Sequence, residues 1–484
     1  FLTDNERILR HDEMRFPTIL YAAAAALHVI EPSATVDRCD GGQRITRSRP
    51  RLFPRQMYRR AASLIQLYKE RSGCPGISVC VSYAGECVYS EGFGFANVEN
   101  LVPVREDTLF RIASISKSFT SILVGRLMEQ SKLDLDEDIR TYLPEFPEKH
   151  VDGTYAKITA RSLLNHTSGI RSYKKSAEEK GQSSYPEMLL QTRYDNALEA
   201  CNLFKDDPLV HAPGKQYTYS TFGFTLLSAA IEKICTRSGP SFECYSGTQP
   251  NCVKKNSDTS KIPRFAKMDH QFSKLFTFLG LKNTFLEYHE KLMPVRASQY
   301  KRNSKGVLEN TPMVDNSYKW AGGGILSTAY DLTLFANHLA YVYLDSMPMT
   351  GVIKPETLRL LWTVSASNPD EEWQPGLGWF LCRRSGGSLS QEMTCPDRLY
   401  VCHTGGAVGG TTILLLSLPC CKLSSGHEYV REDALSNLSD FTARSAKLPP
   451  ICVAILTNLE DASGIKDLAV SLVELVTDCI LRER

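Results

Sequence analysis

Neither sign of charge dominates this sequence: 56 lysines and arginines face 54 aspartates and glutamates across 484 residues. A chain so balanced has no field with which to gather nucleic acid, and none is expected as a partner. Long apolar runs are scarce too. The stretch FPTILYAAAAALHVI at 16–30 falls short of the roughly 20 residues that cross a bilayer comfortably. No C-x-x-C pair occurs, no cysteine–histidine spacing suits zinc, and the ten histidines are scattered, so no metal and no cofactor are expected. Fifteen cysteines are many, but the number is odd and most lie in apolar stretches such as GISVCVSY and ICVAILTN. A thiol there behaves as a small buried hydrophobe, and reduced cysteines are expected. No internal repeat is visible.

What the chain does have is 42% apolar residues, enough to bury a large core. Residues 1–56 read as a targeting, anchoring or linker segment. Their apolar stretch precedes an Arg-rich, acid-poor run from Arg44 to Arg60, the composition of signal or transit segments. Such a segment could attach the chain to a membrane. Residues 57–484 read as the folded domain. MYRRAASLIQLYKERSG predicts an amphipathic helix with Ala62, Ile65, Leu67 and Tyr68 inward and Gly73 as its stop. GISVCVSYAGECVYSEGFGF predicts a hairpin turning at Ala84-Gly85. RLYVCHTGG, TTILLLSLP and ICVAILTN predict three late strands, and GIKDLAVSLVELVTDCILRER a closing helix. Stretches near 171–196, 236–263, 383–397 and 420–449 are expected as insertions. The whole predicts an α/β architecture: a central antiparallel sheet flanked by helices, with a helical second lobe.

Chemistry concentrates at RIASISKSFTSILVGRLMEQ, 111–130. Residues three apart share a helix face, so Ser114 and Lys117 can meet. A serine in a first helical turn has a free backbone N–H, and a desolvated lysine can take the hydroxyl proton. Taken alone, S-x-x-K is common by chance. Tyr219, in YSTFGF just before another predicted helix, could reach across a lobe junction, although such a tyrosine is more often packing. His403, Thr404, Gly405 and Gly406 end a strand on small residues, which leaves backbone groups open to a ligand along the edge.

In that order, S-I-S-K, Y-S-T and H-T-G-G resemble the three signature elements of the serine β-lactamase and penicillin-binding-protein superfamily, nearest its class C and carboxypeptidase branch. LLNHTSGI at 163–170, WAGGGILSTAYDLTLFANHL at 320–339 and GLGWF at 376–380 fit the same pattern. Phrases such as VDNSYKWAGGG and HTGGAVGG are similar to an animal mitochondrial branch of it. The resemblance implies the β-lactamase/transpeptidase fold, with Ser114 as acylated nucleophile, Lys117 as its proton partner and Tyr219 as general base or relay. It implies an oxyanion hole from the N–H groups of Ser114 and Gly406, and substrate contacts at His403, Thr404 and Gly405. It further implies a peptidase-type hydrolase of the mitochondrial intermembrane space that acts on peptide-like or other acyl substrates. That hydrolase would assemble into filaments and be linked to lipid metabolism. A structural filament with secondary catalysis, and an esterase or β-lactam hydrolase, are the alternatives. Two positions depart from the pattern: Thr221 stands at a common asparagine, and His403 at a common lysine. His403 is therefore expected either to become the missing cation between about pH 5.5 and 7.5 or to donate a neutral hydrogen bond.

Overall fold

The computed structural model describes residues 54–174, 185–238, 262–345, 351–366, 372–384, 388–390, 393–394, 398–419 and 449–482. The chain divides into Phe1–Arg51 and Leu52–Arg484, and the first unit lies outside the described residues, as do most of the four expected insertions.

Helix α1, Arg55–Ser72, ends at Gly73 with φ 66°, whose N–H bonds Lys69 O at 2.9 Å. Glycine adopts that left-handed cap without steric cost. The helix buries Met57, Ala61, Ile65 and Tyr68, whereas Leu67 is 42% exposed. The inward stripe thus follows 57-61-65-68, and the expected places of Ala62 and Leu67 are corrected: a 3.6-residue period cannot hold 67 on the face set by 57, 61 and 65. Strands β1 (Gly76–Tyr83) and β2 (Glu86–Asn97) form the predicted hairpin. Both turn residues, Ala84 and Gly85, have positive φ, the twist-matched geometry for a two-residue turn.

The sheet adds β3 (Val102–Pro103), β4 (Gln374–Pro375), β5 (Phe380–Arg384), β6 (Arg398–Ala407), β7 (Gly410–Pro419) and β8 (Ile451–Thr457). Its order is β4-β5-β6-β7-β8-β1-β2-β3, every neighbouring pair antiparallel. Residues of β7 and β8 are buried on both sides. Ile413, Leu415, Val453 and Ile455 pack with α1 and with the closing helix Ile465–Arg482. Leu414, Leu416, Ala454 and Leu456 join the other core. Two covered faces explain why TTILLLSLP and ICVAILTN read as continuous apolar runs rather than alternating ones.

That second core belongs to the helical lobe: α2 (Ser116–Glu129), α3 (Thr221–Ser238), α4 (Met268–Phe278) and α5 (Ala329–Tyr343), before the closing helix, α6. Phe119 of α2 stacks on Phe335 of α5 at 4.0 Å and meets Phe276 of α4 edge-on at 5.5 Å. These rings hold the first turns of α2, which carry the lysine of S-x-x-K, against α4 and α5. No described helix is long and apolar enough to cross a membrane. The described cysteines are all free thiols.

Candidate active site

Ser114 sits in a single 3-10 turn, Ala113–Ile115, that runs straight into α2. Ala113 before it has φ 49°, a left-handed conformation that costs a non-glycine residue roughly 1 kcal/mol. The tight turn and the helix bring Lys117 back onto Ser114, with Lys117 Nζ 3.0 Å from Ser114 Oγ. Lys117 is fully buried. Its amine also reaches the Gly322 carbonyl at 2.6 Å and Thr221 Oγ1 at 3.4 Å, and lies 4.9 Å from the Tyr219 ring centre. Burial, with help from the nearby Lys319 ammonium, holds its pKa well below that of an ordinary lysine. A neutral amine has two N–H donors and one lone pair. Lys117 Nζ donates to Gly322 O, Thr221 Oγ1 and Ser114 Oγ; in the neutral form the first two can take both donors and leave the lone pair for the Ser114 proton.

Tyr219 enters two residues before α3. Burial pushes its phenol pKa up, opposed by a hydrogen bond with Ser114. Its ring lies on that of His166, centres 4.2 Å apart. His166, from LLNHTSGI, accepts the Ser220 N–H at 3.2 Å. It is held well below the usual histidine range by burial first, then by Lys117 and His403. Nearby Asn165, an N-x-T sequon by pattern, is buried and accepts from Thr167 Oγ1 at 2.7 Å, a structural rather than a glycan-bearing arrangement.

The opposite wall is β6. His403 is 1% exposed, and its Nδ1 lies 2.6 Å from Thr404 O. Burial, then Lys117, pulls its pKa down to about 3, against the Thr404 contact. The expected cation between pH 5.5 and 7.5 is therefore corrected: a buried ring beside a lysine stays neutral there. Thr404 and Gly406 line the cleft with Ser114, Tyr219, Trp373 and Lys466, around a volume of about 420 Å³. Gly406 has open space beside it. Gly405, expected at the substrate, instead meets the nucleophile's turn: a Cβ there would collide with Thr412 Oγ1 and the Ile112 carbonyl. Gly405→Ala should therefore push β6 off that turn. We expect a loss of about 1–3 kcal/mol in urea unfolding and a fall in acylation rate.

Several residues of the site carry no signal in the sequence. Arg111 Nε bonds Glu287 Oε1 at 2.9 Å, and its guanidinium donates to Val408 O at 2.6 Å. Glu287 also accepts from Asn316 Nδ2 at 2.6 Å. This buried ion pair ties the strand before Ser114 to the segment at Glu287, and the Val408 bond ties it to the turn after β6. Glu287→Ala should cost about 3–5 kcal/mol, because it strands a buried guanidinium; chemical denaturation reads the loss. Lys319, from VDNSYKWAGGG, is a second buried amine, pulled to about 7 by burial and then by Arg111, against Glu287. Lys466 at the start of α6 lies 5.7 Å from the Trp373 ring centre. Only the contacts of the folded chain bring Lys466 to the cleft of Ser114 and Glu287 to Arg111.

Among the described residues, His289, Glu290 and Asp315 offer ligand atoms within 4.8 Å of one another. Glu290 is already paired with Arg193 at 2.5 Å and Asp315 accepts from Ser317 N at 2.8 Å, so both carboxylates are satisfied within the protein.

A sheet faced by a helical lobe, with an S-x-x-K pair of partly exposed serine and buried lysine at their junction, defines the serine β-lactamase-like hydrolases, and this chain belongs to that family. The β-lactamase family model matches residues 61–249 and 264–472. More particularly, the chain is 34% identical to the mitochondrial serine β-lactamase-like protein LACTB of Bos taurus, covering 82% of this chain and 75% of that one. A penicillin-binding protein homologue from Pyrococcus abyssi, described as octameric, superimposes with a TM-score of 0.59 at 21% identity over 87% of this chain and 77% of the other. A class C β-lactamase does so at 0.57 and 17% identity, over 87% and 96%. These likenesses bear out the expected fold.

Proposed function

We propose that the protein is a serine hydrolase that cleaves peptide-like acyl substrates through an acyl-enzyme on Ser114. The observation that carries this is the buried amine of Lys117, 3.0 Å from Ser114 Oγ and bonded also to Gly322 O and Thr221 Oγ1, with a pKa that burial lowers. Ser114 Oγ attacks the substrate carbonyl and its proton passes to Lys117. The N–H groups of Ser114 and Gly406 receive the developing oxyanion, a donor pair of the kind worth roughly 3 kcal/mol each. Tyr219, neutral because its pKa is raised, acts as the relay that carries the proton on to the leaving group. It is not a standing phenolate base. The carbonyl–leaving-group bond then breaks, and water releases the acyl group by the reverse route. His403 and Thr404 contact the substrate along β6.

Intact-mass analysis after exposure to a fluorophosphonate or a penicillin-type acylating agent tests the reading. One adduct mapping to Ser114 is expected; an unmodified protein rules it out. Peptidase specificity, assembly into filaments, a role in lipid metabolism and a place in the mitochondrial intermembrane space rest on the family resemblance. The mitochondrial relative and the octameric homologue support a mitochondrial, self-assembling protein. That assembly favours a second reading, a structural polymer with secondary catalysis.

A further inference from the structure

The cleft contains a polar atom that the folded chain leaves unused. His403 Nδ1 lies 2.6 Å from Thr404 O, and a carbonyl oxygen can only accept. The ring proton must therefore sit on Nδ1, which fixes the tautomer and leaves Nε2 as a bare lone pair. Nε2 is buried and has no hydrogen-bond partner. The Phe380 ring meets the imidazole in a T-shaped contact, centres 5.3 Å apart, and His403 lines the same cleft as Ser114. The geometry excludes the expected cation and spends the neutral hydrogen bond on the chain's own Thr404 carbonyl rather than on a ligand. The ring is not a cation, and its unpartnered nitrogen accepts rather than donates.

Building on the acyl-enzyme reading, we propose that His403 Nε2 is the specificity element of the cleft. It selects substrates that present an N–H or O–H donor beside the reacting carbonyl, such as a primary carboxamide, a peptide N–H or a hydroxyl. A carboxylate at that spot would set oxygen lone pairs against a nitrogen lone pair, both out of water, and nothing would offset their desolvation. An ammonium at this register would have the opposite taste. The low pKa of His403 supports the assignment, since acidification within the working range supplies no proton to reverse it. Lys466, on the cleft wall near Trp373, can still attract an anionic group farther from the ring.

Matched ester substrates ending in either a carboxamide or a carboxylate test the proposal. The terminal group is placed in turn on the acyl and the leaving-group side. The measurement is the ratio of kcat/KM, carboxamide over carboxylate, in the wild type, His403→Phe and His403→Lys. Lys466 is present in all three and cancels between them. On one of the two sides the wild-type ratio should be about tenfold or more. It should fall towards one in His403→Phe, which keeps an aromatic ring against Phe380, and invert in His403→Lys. If the lysine variant does not fold, the phenylalanine variant decides alone. A wild-type ratio at or below one on both sides, or a ratio that survives His403→Phe, overturns the proposal. A fluorophosphonate carries neither group, so it reports on Ser114 independently. Lack of labelling there defeats the acyl-enzyme reading itself and the selectivity proposal with it.

Discussion

Ser114→Ala should abolish covalent labelling and lower turnover by about 10⁴-fold or more, with almost no change in thermal stability. Loss of a nucleophile removes the covalent route outright, and comparable serine enzymes lose on the order of 10⁶. The hydroxyl is partly exposed, and its bonds are those with Lys117 and Tyr219. Lys117 keeps Gly322 O and Thr221 Oγ1 when the hydroxyl is gone, so the buried amine is not stranded. Intact mass and a melting curve read the two halves of the expectation. Labelling that persists in the variant would move the nucleophile elsewhere.

Lys117→Met should cost about 10²–10⁴-fold in acylation, the range for a positioned proton acceptor, yet leave the fold as stable or more so. The chain spends free energy to bury this amine, and an apolar side chain of similar length removes that cost. The pH dependence carries a definite sign. Lysine in an unfolded chain titrates near 10.4, and burial puts the folded value well below that. Between the two values the unfolded state binds more protons, so wild-type stability rises with pH across the window. It is lost as pH falls through the folded pKa and the buried amine takes up its proton. Urea midpoints across pH should show that slope in the wild type and its loss in Lys117→Met. The acylation rate should climb with pH as Lys117 becomes neutral. A slope equal in both proteins would mean that Lys117 is charged in the folded state.

The sequence announces the parts of this molecule whose signal is local. The hairpin at Ala84-Gly85, the αL stop at Gly73 and the runs of β6, β7 and β8 each follow from residues within a short window. The Ser114–Lys117 pair does too, because a turn and a helix fix its geometry. Apolar character alone does not place Leu67 inward: the 3.6-residue period set by Met57, Ala61 and Ile65 turns it to solvent. His403 shows a different limit. Its residue type was visible, but its proton depends on a carbonyl one residue away and on burial beneath Phe380. The pairing of Arg111 with Glu287 leaves no trace, since residues 176 apart become partners only through the whole fold, and Lys319 stands in a stretch, VDNSYKWAGGG, that does not show its burial.

The two-sided burial of β7 and β8 bears on how the molecule breathes. Segments with a solvent-facing side open locally at low cost, whereas those packed on both faces exchange their amide protons only when the domain unfolds as a unit. β6 pairs with β7 along ten residues, from Arg398–Pro419 to Ala407–Gly410, and so shares that protection. Fluctuations of the cleft then fall to its other side, the Tyr219 approach to α3 and the start of α6 at Lys466. Amide exchange should divide the site into a slow wall bearing His403 and Thr404 and a fast one through which substrates enter and products leave.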